Sequence, residues 1–226
     1  MPNSFVTKKG IPFISISDLK KMYVYFKRVF DFFSALSLLI AISPVFIVLA
    51  ILVKINLGSP IFFKQARAGK GMKPFDLMKF RTMKDQRDEK GDLLPDEYRQ
   101  TKFGSMLRSS SLDELPELIH IIKGEMSVIG PRPLPLKYNP YYREEELRRF
   151  DVRGGLITPD SVDESPVISW DKQLEYEADY AKNLCFSLDL KIFLSVFKIL
   201  FKRQTSEYGS FIRKELNIER EYMFKS

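Results

Sequence analysis

From Phe32 to Val53 the chain runs for 22 residues without a formal charge, and this stretch limits the folds open to it more than any other feature. As one unbroken helix it would extend ~33 Å, enough to cross a bilayer. It starts too far into the chain to be read as a cleaved signal peptide, and no small-residue cleavage site follows it. Ser43-Pro44 divides it near the middle. A proline there removes one helix hydrogen bond and disfavours a straight course. The Ser43 hydroxyl is placed to satisfy a carbonyl so freed where no water is available. Each half alone reaches only ~18 Å. Basic residues flank both ends, with Lys20, Lys21, Lys27 and Arg28 before and Lys54, Lys64 and Arg67 after. The positive-inside tendency places both flanks on the cytoplasmic side. The expectation is a re-entrant helix-break-helix that enters and leaves a membrane by one face, with a kinked span as the alternative.

Charge narrows the partners. Of the net +7, residues 1–84 carry +11 and residues 85–226 carry −4. A basic half suits nucleic acid, anionic lipid or a phosphorylated substrate. The apolar stretch lying inside that half argues against nucleic acid. One cysteine, Cys185, and one histidine, His120, exclude a disulfide scaffold, a zinc finger and a His-rich metal site. Catalysis then falls to carboxylates, lysine, arginine, hydroxyls or a carboxylate-bound metal. His120, Cys185 and Trp170 are read as packing residues.

The pattern predicts an α+β fold: a mostly helical, membrane-associated domain with a small β-hairpin and interfacial amphipathic helices. Residues 1–21 read as an irregular lead, 22–57 as the re-entrant helix, 58–203 as a cytoplasmic catalytic domain and 204–226 as a C-terminal tail. Pro60 to Gln65 and Phe75 to Thr82 read as strands joined by Ala68-Gly69-Lys70-Gly71. A period of two puts Phe75, Leu77, Lys79 and Arg81 on one face, where the two cations offer an anion site. Residues 84–104 read as a mobile loop, Tyr141 to Phe150 as a solvated charged helix and 160–169 as loop. Leu188 to Arg203 is an amphipathic helix with Leu190, Phe193, Leu194 and Phe197 among its apolar positions. It serves equally as a headgroup-layer helix or a core-facing one.

Chemistry concentrates between Leu107 and Pro133. Ser111 with Glu114 three residues on fits a capping box, and Pro116 suits a first turn. Either way Asp113 and Glu114 lie at a helix N-terminus, where the dipole stabilises anions. An ionised Asp there is a nucleophile for a phosphoryl group, and adjacent carboxylates suit Mg²⁺. Plain capping is the alternative. Farther on, Gly130-Pro131-Arg132-Pro133 holds a guanidinium between two prolines, an arrangement suited to phosphate.

Taken together these segments resemble the monotopic phosphoglycosyl transferases, bacterial membrane enzymes that start glycan assembly on a polyprenol carrier. The resemblance runs over about residues 22–203. It rests on Lys27-Arg28-Val29-Phe30-Asp31, Ser43-Pro44, and Gly58-Ser59-Pro60 with Phe63-Lys64-Gln65-Ala66-Arg67-Ala68-Gly69. Lys79-Phe80-Arg81-Thr82-Met83, Leu107-Arg108, Leu112-Asp113-Glu114-Leu115-Pro116 and Gly130-Pro131-Arg132-Pro133 complete it. It implies that Asp113 attacks the β-phosphate of a UDP-sugar, expels UMP and becomes an aspartyl phosphosugar. Polyprenol phosphate then takes the phosphosugar. Asp113 and Glu114 would hold Mg²⁺, Lys79, Arg81, Arg108 and Arg132 would bind phosphate, and Glu177 and Asp189 would belong to a polar network. The implied location is the cytoplasmic face of a bacterial plasma membrane. Membrane lipid, downstream glycosyltransferases and a second copy of the chain are expected partners, in capsule or exopolysaccharide synthesis.

The C-terminal third departs from the family pattern. Arg153-Gly154-Gly155-Leu156-Ile157-Thr158-Pro159 stands where an Arg-Pro-Gly-Ile-Thr-Gly-Trp stretch is usual, and an arginine shortly before Ser169-Trp170 is missing. A membrane-tethered adaptor that only binds anionic lipid is the competing reading. It explains the basic half but gives no reason for Asp113-Glu114 or for Arg132.

Overall fold

The computed structural model describes residues 16–163, 165, 168–203 and 213–224. Helix α1 (Ile16–Ala41) begins inside the stretch expected to be irregular, and α2 (Ser43–Leu57) follows after Ile42. The two are bent by 66°. The cause is local. Pro44 lacks the N–H that would have bonded the Ile40 carbonyl four residues back. Ser43 Oγ donates to that same carbonyl at 2.8 Å. Among the described residues no single helix is long and apolar enough to cross a membrane, while the bent pair meets that measure together. Along α2, Leu49, Val53 and Leu57 pack with Phe80 and Leu107, whereas Val45, Ile47, Val48, Ile51 and Ile55 are exposed.

The basic flank of α1 is largely spent within the protein. Lys20 Nζ donates to the carbonyls of Ala181 (3.0 Å) and Lys182 (2.9 Å) at the end of α6 (Trp170–Lys182). Arg28 donates to those of Ile121 (2.6 Å) and Ile122 (2.8 Å) at the end of α5 (Glu117–Lys123). Both cations answer the negative pole of a helix. Buried Asp31 accepts from Ser127 Oγ (2.6 Å) and the Val128 N–H (3.1 Å). The Lys27-Arg28-Val29-Phe30-Asp31 stretch therefore bolts α1 to the rest of the domain.

Strands β1 (Phe62–Ala68) and β2 (Pro74–Phe80) form the expected antiparallel hairpin, with Phe63 opposite Lys79 and Gln65 opposite Leu77. Phe62 stacks on Phe80 at 5.4 Å, and Phe46 of α2 closes on Phe80 at 4.9 Å, fixing the hairpin to the apolar pair. Residues 84–104 are not one loop. They contain α3 (Asp96–Arg99) and lead into α4 (Lys102–Ser109), which is capped by Thr101 Oγ1 accepting from the Gly104 N–H at 3.0 Å. A Cβ on Gly104 would lie 1.8 Å from the Thr82 carbonyl oxygen, so only glycine lets α4 approach the hairpin exit.

The parallel pair β3 (Met126–Ile129) and β4 (Gly154–Ile157) forms a second small sheet. The stretch expected to be a solvated helix is a 3₁₀ segment, Glu144–Asp151, with Glu146, Arg149 and Phe150 buried. Two of its charges, Glu146 and Arg149, are paired in the interior rather than hydrated, which composition does not reveal. The stretch 160–169 begins inside a further 3₁₀ turn, Pro159–Val162. Helix α7 (Phe186–Arg203) packs Ile192 against Tyr180 and Leu184 and exposes Phe186, Leu190, Phe193 and Leu194. The side chain of Phe197 lies outside the described residues. Cys185 is exposed, so it is not the packing residue that was expected. Within the stretch expected to be a tail, α8 (Leu216–Glu219) docks on the body through fully buried Leu216, which joins Trp170 and Tyr138 in one apolar cluster.

Candidate active site

Helix α4 stops at Ser109, and Ser111 adopts a left-handed backbone (φ 56°). That reversal starts a 3₁₀ turn, Leu112–Glu114, and α5 begins only after Pro116. The carboxylate pair thus sits in a tight turn just ahead of α5. The expected capping box does not form, since the Ser111 side chain makes no cap bond. Leu112 and Leu115 pack beside Phe80 and Leu107, which holds the turn from below.

Glu114 faces the hairpin instead of its own helix. Its Oε1 accepts from Lys79 Nζ at 2.6 Å and lies 3.5 Å from Arg132 Nη2. Lys79 Nζ is also 3.2 Å from Glu117 Oε1. Burial holds the Asp113 carboxyl above its ordinary range, with Lys79 pulling it down, Glu114 pushing it up and Arg108 pulling it down. The helix pole alone therefore does not decide its charge. Glu117 is pushed up to about 7, chiefly by burial. Arg108 Nη2 donates to Thr82 Oγ1 at 2.9 Å beside this cluster.

Arg81 is not part of it. It lies beyond the end of β2 at Phe80, and its guanidinium donates to the Ser59 carbonyl at 2.8 Å. Its backbone still pairs across the hairpin, the Arg81 N–H donating to the Ile61 carbonyl at 2.9 Å, so the side chain's own bond to Ser59 sets its direction. Arg132, in contrast, is gripped by its backbone. Its N–H donates to Glu177 Oε1 at 3.1 Å and its carbonyl accepts from Arg149 Nη2 at 2.5 Å. Glu177, fully buried, accepts from Arg149 Nε (2.7 Å) and Gln173 Nε2 (3.0 Å). The Arg132 side chain remains half exposed and reaches Glu114, not Glu125. Glu125 pairs with His120 Nδ1 at 2.6 Å, while His120 Nε2 accepts the Met78 N–H at 2.9 Å. Buried His120 is structural, as expected.

Asp189 belongs to a different network. It accepts from Tyr23 Oη (2.5 Å), Lys27 Nζ (2.8 Å) and Tyr180 Oη (2.7 Å), joining α1, α6 and α7. Glu177 and Asp189 thus serve separate duties. Sequence reasoning missed Glu117, Arg149 and the placement of Arg67, whose guanidinium donates to the Pro133 carbonyl at 3.3 Å. Arg67 stood in a quoted motif; nothing local marked the others.

Among the described residues no group of three or more His, Cys, Asp or Glu is arranged to hold a metal ion. Asp113 and Glu114 nonetheless offer hard oxygen donors, which fits Mg²⁺ because that ion commonly takes one or two carboxylates and completes its shell with phosphate and water.

The sequence pattern of the bacterial sugar transferases matches residues 22–203. The chain is 46% identical over 175 residues to an uncharacterised sugar transferase, EpsL, of Bacillus subtilis (strain 168), covering 77% of this chain and 87% of that protein. It is 35% identical over 202 residues to a UDP-glucose:undecaprenyl-phosphate glucose-1-phosphate transferase of Klebsiella pneumoniae, covering 84% of this chain but 43% of that protein. The exopolysaccharide production protein ExoY of Rhizobium meliloti (strain 1021) is 33% identical, with 77% and 83% covered. The chain thus spans most of the two shorter relatives and less than half of the Klebsiella enzyme. None of these names supports a non-catalytic adaptor.

Proposed function

The chain belongs to the bacterial sugar transferase family, and from that premise we propose that it moves a sugar 1-phosphate from a UDP-sugar to polyprenol phosphate in exopolysaccharide synthesis. The observation that carries this reading is the meeting of Lys79 and Arg132 on Glu114, beside the buried carboxylate of Asp113. Cations from the hairpin and from the proline-flanked loop would merely neutralise a carboxylate pair unless a diphosphate enters between them.

In the first step an Asp113 oxygen forms a bond to the β-phosphorus, and the bond to the bridging oxygen breaks, so UMP leaves with that oxygen and its electron pair. In the second step a phosphate oxygen of the polyprenol carrier attacks the same phosphorus and the Asp113 carboxylate leaves. Arg132 and Lys79 bind the phosphate oxygens and offset charge moving toward UMP. Arg108, whose charge also lowers the Asp113 carboxyl, adds positive potential. Mg²⁺ held by Asp113 and Glu114 would supply further neutralisation of the diphosphate.

The test is to incubate membranes containing the protein with a panel of UDP-sugars and polyprenol phosphate and to measure UMP. Release from at least one donor, dependent on Mg²⁺, is expected; none from any donor returns the reading to the adaptor. Arg132→Lys keeps the charge but loses the planar fork. Turnover should fall roughly 10²- to 10³-fold, as when one charge-stabilising donor is lost. A drop in melting temperature at unchanged catalytic efficiency would withdraw the phosphate role.

The bent pair fits a re-entrant entry from the cytoplasmic face, which seats a soluble donor's site at the lipid surface. In a Cys185→Ser background, cysteines introduced at Lys21 and Lys64 should both react with a membrane-impermeant label from the cytoplasmic side only. Labelling from opposite sides would make 32–53 a span. Pro44→Leu should shift the chain toward that state, because it restores a continuous apolar helix.

A further inference from the structure

The family match ends at residue 203, yet the segment 213–224 is built into the core. Leu216 is fully buried, and Trp170 Nε1 donates to the Lys214 carbonyl at 2.8 Å. Arg220, 1% exposed, donates through both terminal nitrogens to Glu146, each bond 2.7 Å, and to the Tyr141 carbonyl at 2.8 Å. It also pairs with Asp171. Glu146 lies in the same 3₁₀ segment as Arg149, the residue that holds the Arg132 carbonyl.

A second line runs from Arg213. Its guanidinium lies 3.6 Å from the Trp170 ring centroid and donates to the Ile168 carbonyl (2.6 Å) and to Gln173 Oε1 (2.7 Å). No arginine precedes Ser169-Trp170 closely in sequence, but one lies against that turn in space. Gln173 is 4% exposed and has one acceptor end and one donor end. With Arg213 on the acceptor, the donor must face Glu177, and it does so at 3.0 Å. The same Glu177 Oε1 takes the Arg132 N–H at 3.1 Å. A flipped Gln173 would set its carbonyl against a buried carboxylate, which is repulsive. Arg213 therefore fixes the amide, the amide fixes Glu177, and Glu177 fixes the loop that aims Arg132.

We propose that segment 213–224 completes the phosphate site, with Arg213 as a positioning residue for Arg132. This rests on the transfer reading above for its substrate, but not for its geometry. The experiment compares wild type, Arg213→Ala, Arg213→Lys, Gln173→Leu and the Arg213→Ala/Gln173→Leu pair. Turnover per folded molecule is measured, and binding of inorganic diphosphate is measured by calorimetry. Arg213→Ala should raise the donor KM and weaken diphosphate binding, each roughly tenfold, and Arg213→Lys should restore most of both. On top of Gln173→Leu, Arg213→Ala should cost little more in KM, even where it lowers the melting temperature further. A lower melting temperature with KM and diphosphate affinity within twofold of wild type would overturn the proposal, as would losses that multiply in the double variant. If wild type releases no UMP from any donor, the transfer reading fails, and the diphosphate titrations alone decide this one. Wild type that binds no inorganic diphosphate overturns this proposal, while UMP release alone decides the transfer reading.

Discussion

Purified Asp113→Asn protein should release no measurable UMP, a loss of at least ~10⁴-fold, because an amide of nearly equal shape does not form the acyl phosphate. Folding should survive. Asp113 is buried in a 3₁₀ turn held by Leu112 and Leu115, and burial disfavours its charged form. The neutral amide removes that desolvation cost, so the melting temperature should stay level or rise. Mass spectrometry gives an independent reading: wild type incubated with donor alone should gain a phosphosugar adduct on the peptide containing Asp113, and Asp113→Asn should not. Near-wild-type turnover in the variant would eliminate the covalent mechanism. An adduct on another residue would move the nucleophile.

Arg149→Met should be the most damaging single change to stability. The Arg149 guanidinium is 1% exposed and lies 2.6 Å from Glu177, whose side chain is wholly buried. Truncating one partner leaves a carboxylate uncompensated in the interior, which costs about 3–5 kcal/mol. In a domain of this size that lowers the melting temperature by roughly 10 °C. Pairing Arg149→Met with Glu177→Gln should recover a good part of the loss, because the stranded charge is then gone. Thermal unfolding followed by circular dichroism separates the cases. A shift of only ~2 °C for Arg149→Met would mean that water reaches Glu177.

Features set by a few neighbouring residues were legible from the chain alone. The break at Ser43-Pro44 follows from a missing N–H, the hairpin from alternation around a glycine turn, and the place of Asp113-Glu114 just ahead of a helix from Pro116. What sequence did not disclose is long-range pairing of charge. Arg149 with Glu177 and Arg220 with Glu146 are 28 and 74 residues apart. Their charges therefore looked like ordinary solvated surface. Alternation along the strand likewise did not disclose that the Arg81 guanidinium bonds the Ser59 carbonyl. Cys185 carried no signal that distinguished a buried from an exposed position.

Arg28 of α1 grips the last carbonyls of α5, and the turn bearing Asp113 and Glu114 stands just ahead of that helix's first residue. Seven residues of α-helix make a strut of about 10 Å between the two. On the re-entrant reading proposed above, that strut would fix how far the turn bearing Asp113 and Glu114 stands from the lipid-seated pair. On that same reading an acceptor would qualify by reach as well as by chemistry, its phosphate riding at that height while its hydrocarbon stays in the membrane. Carriers whose headgroup rides higher or lower would be refused without any residue having to recognise them.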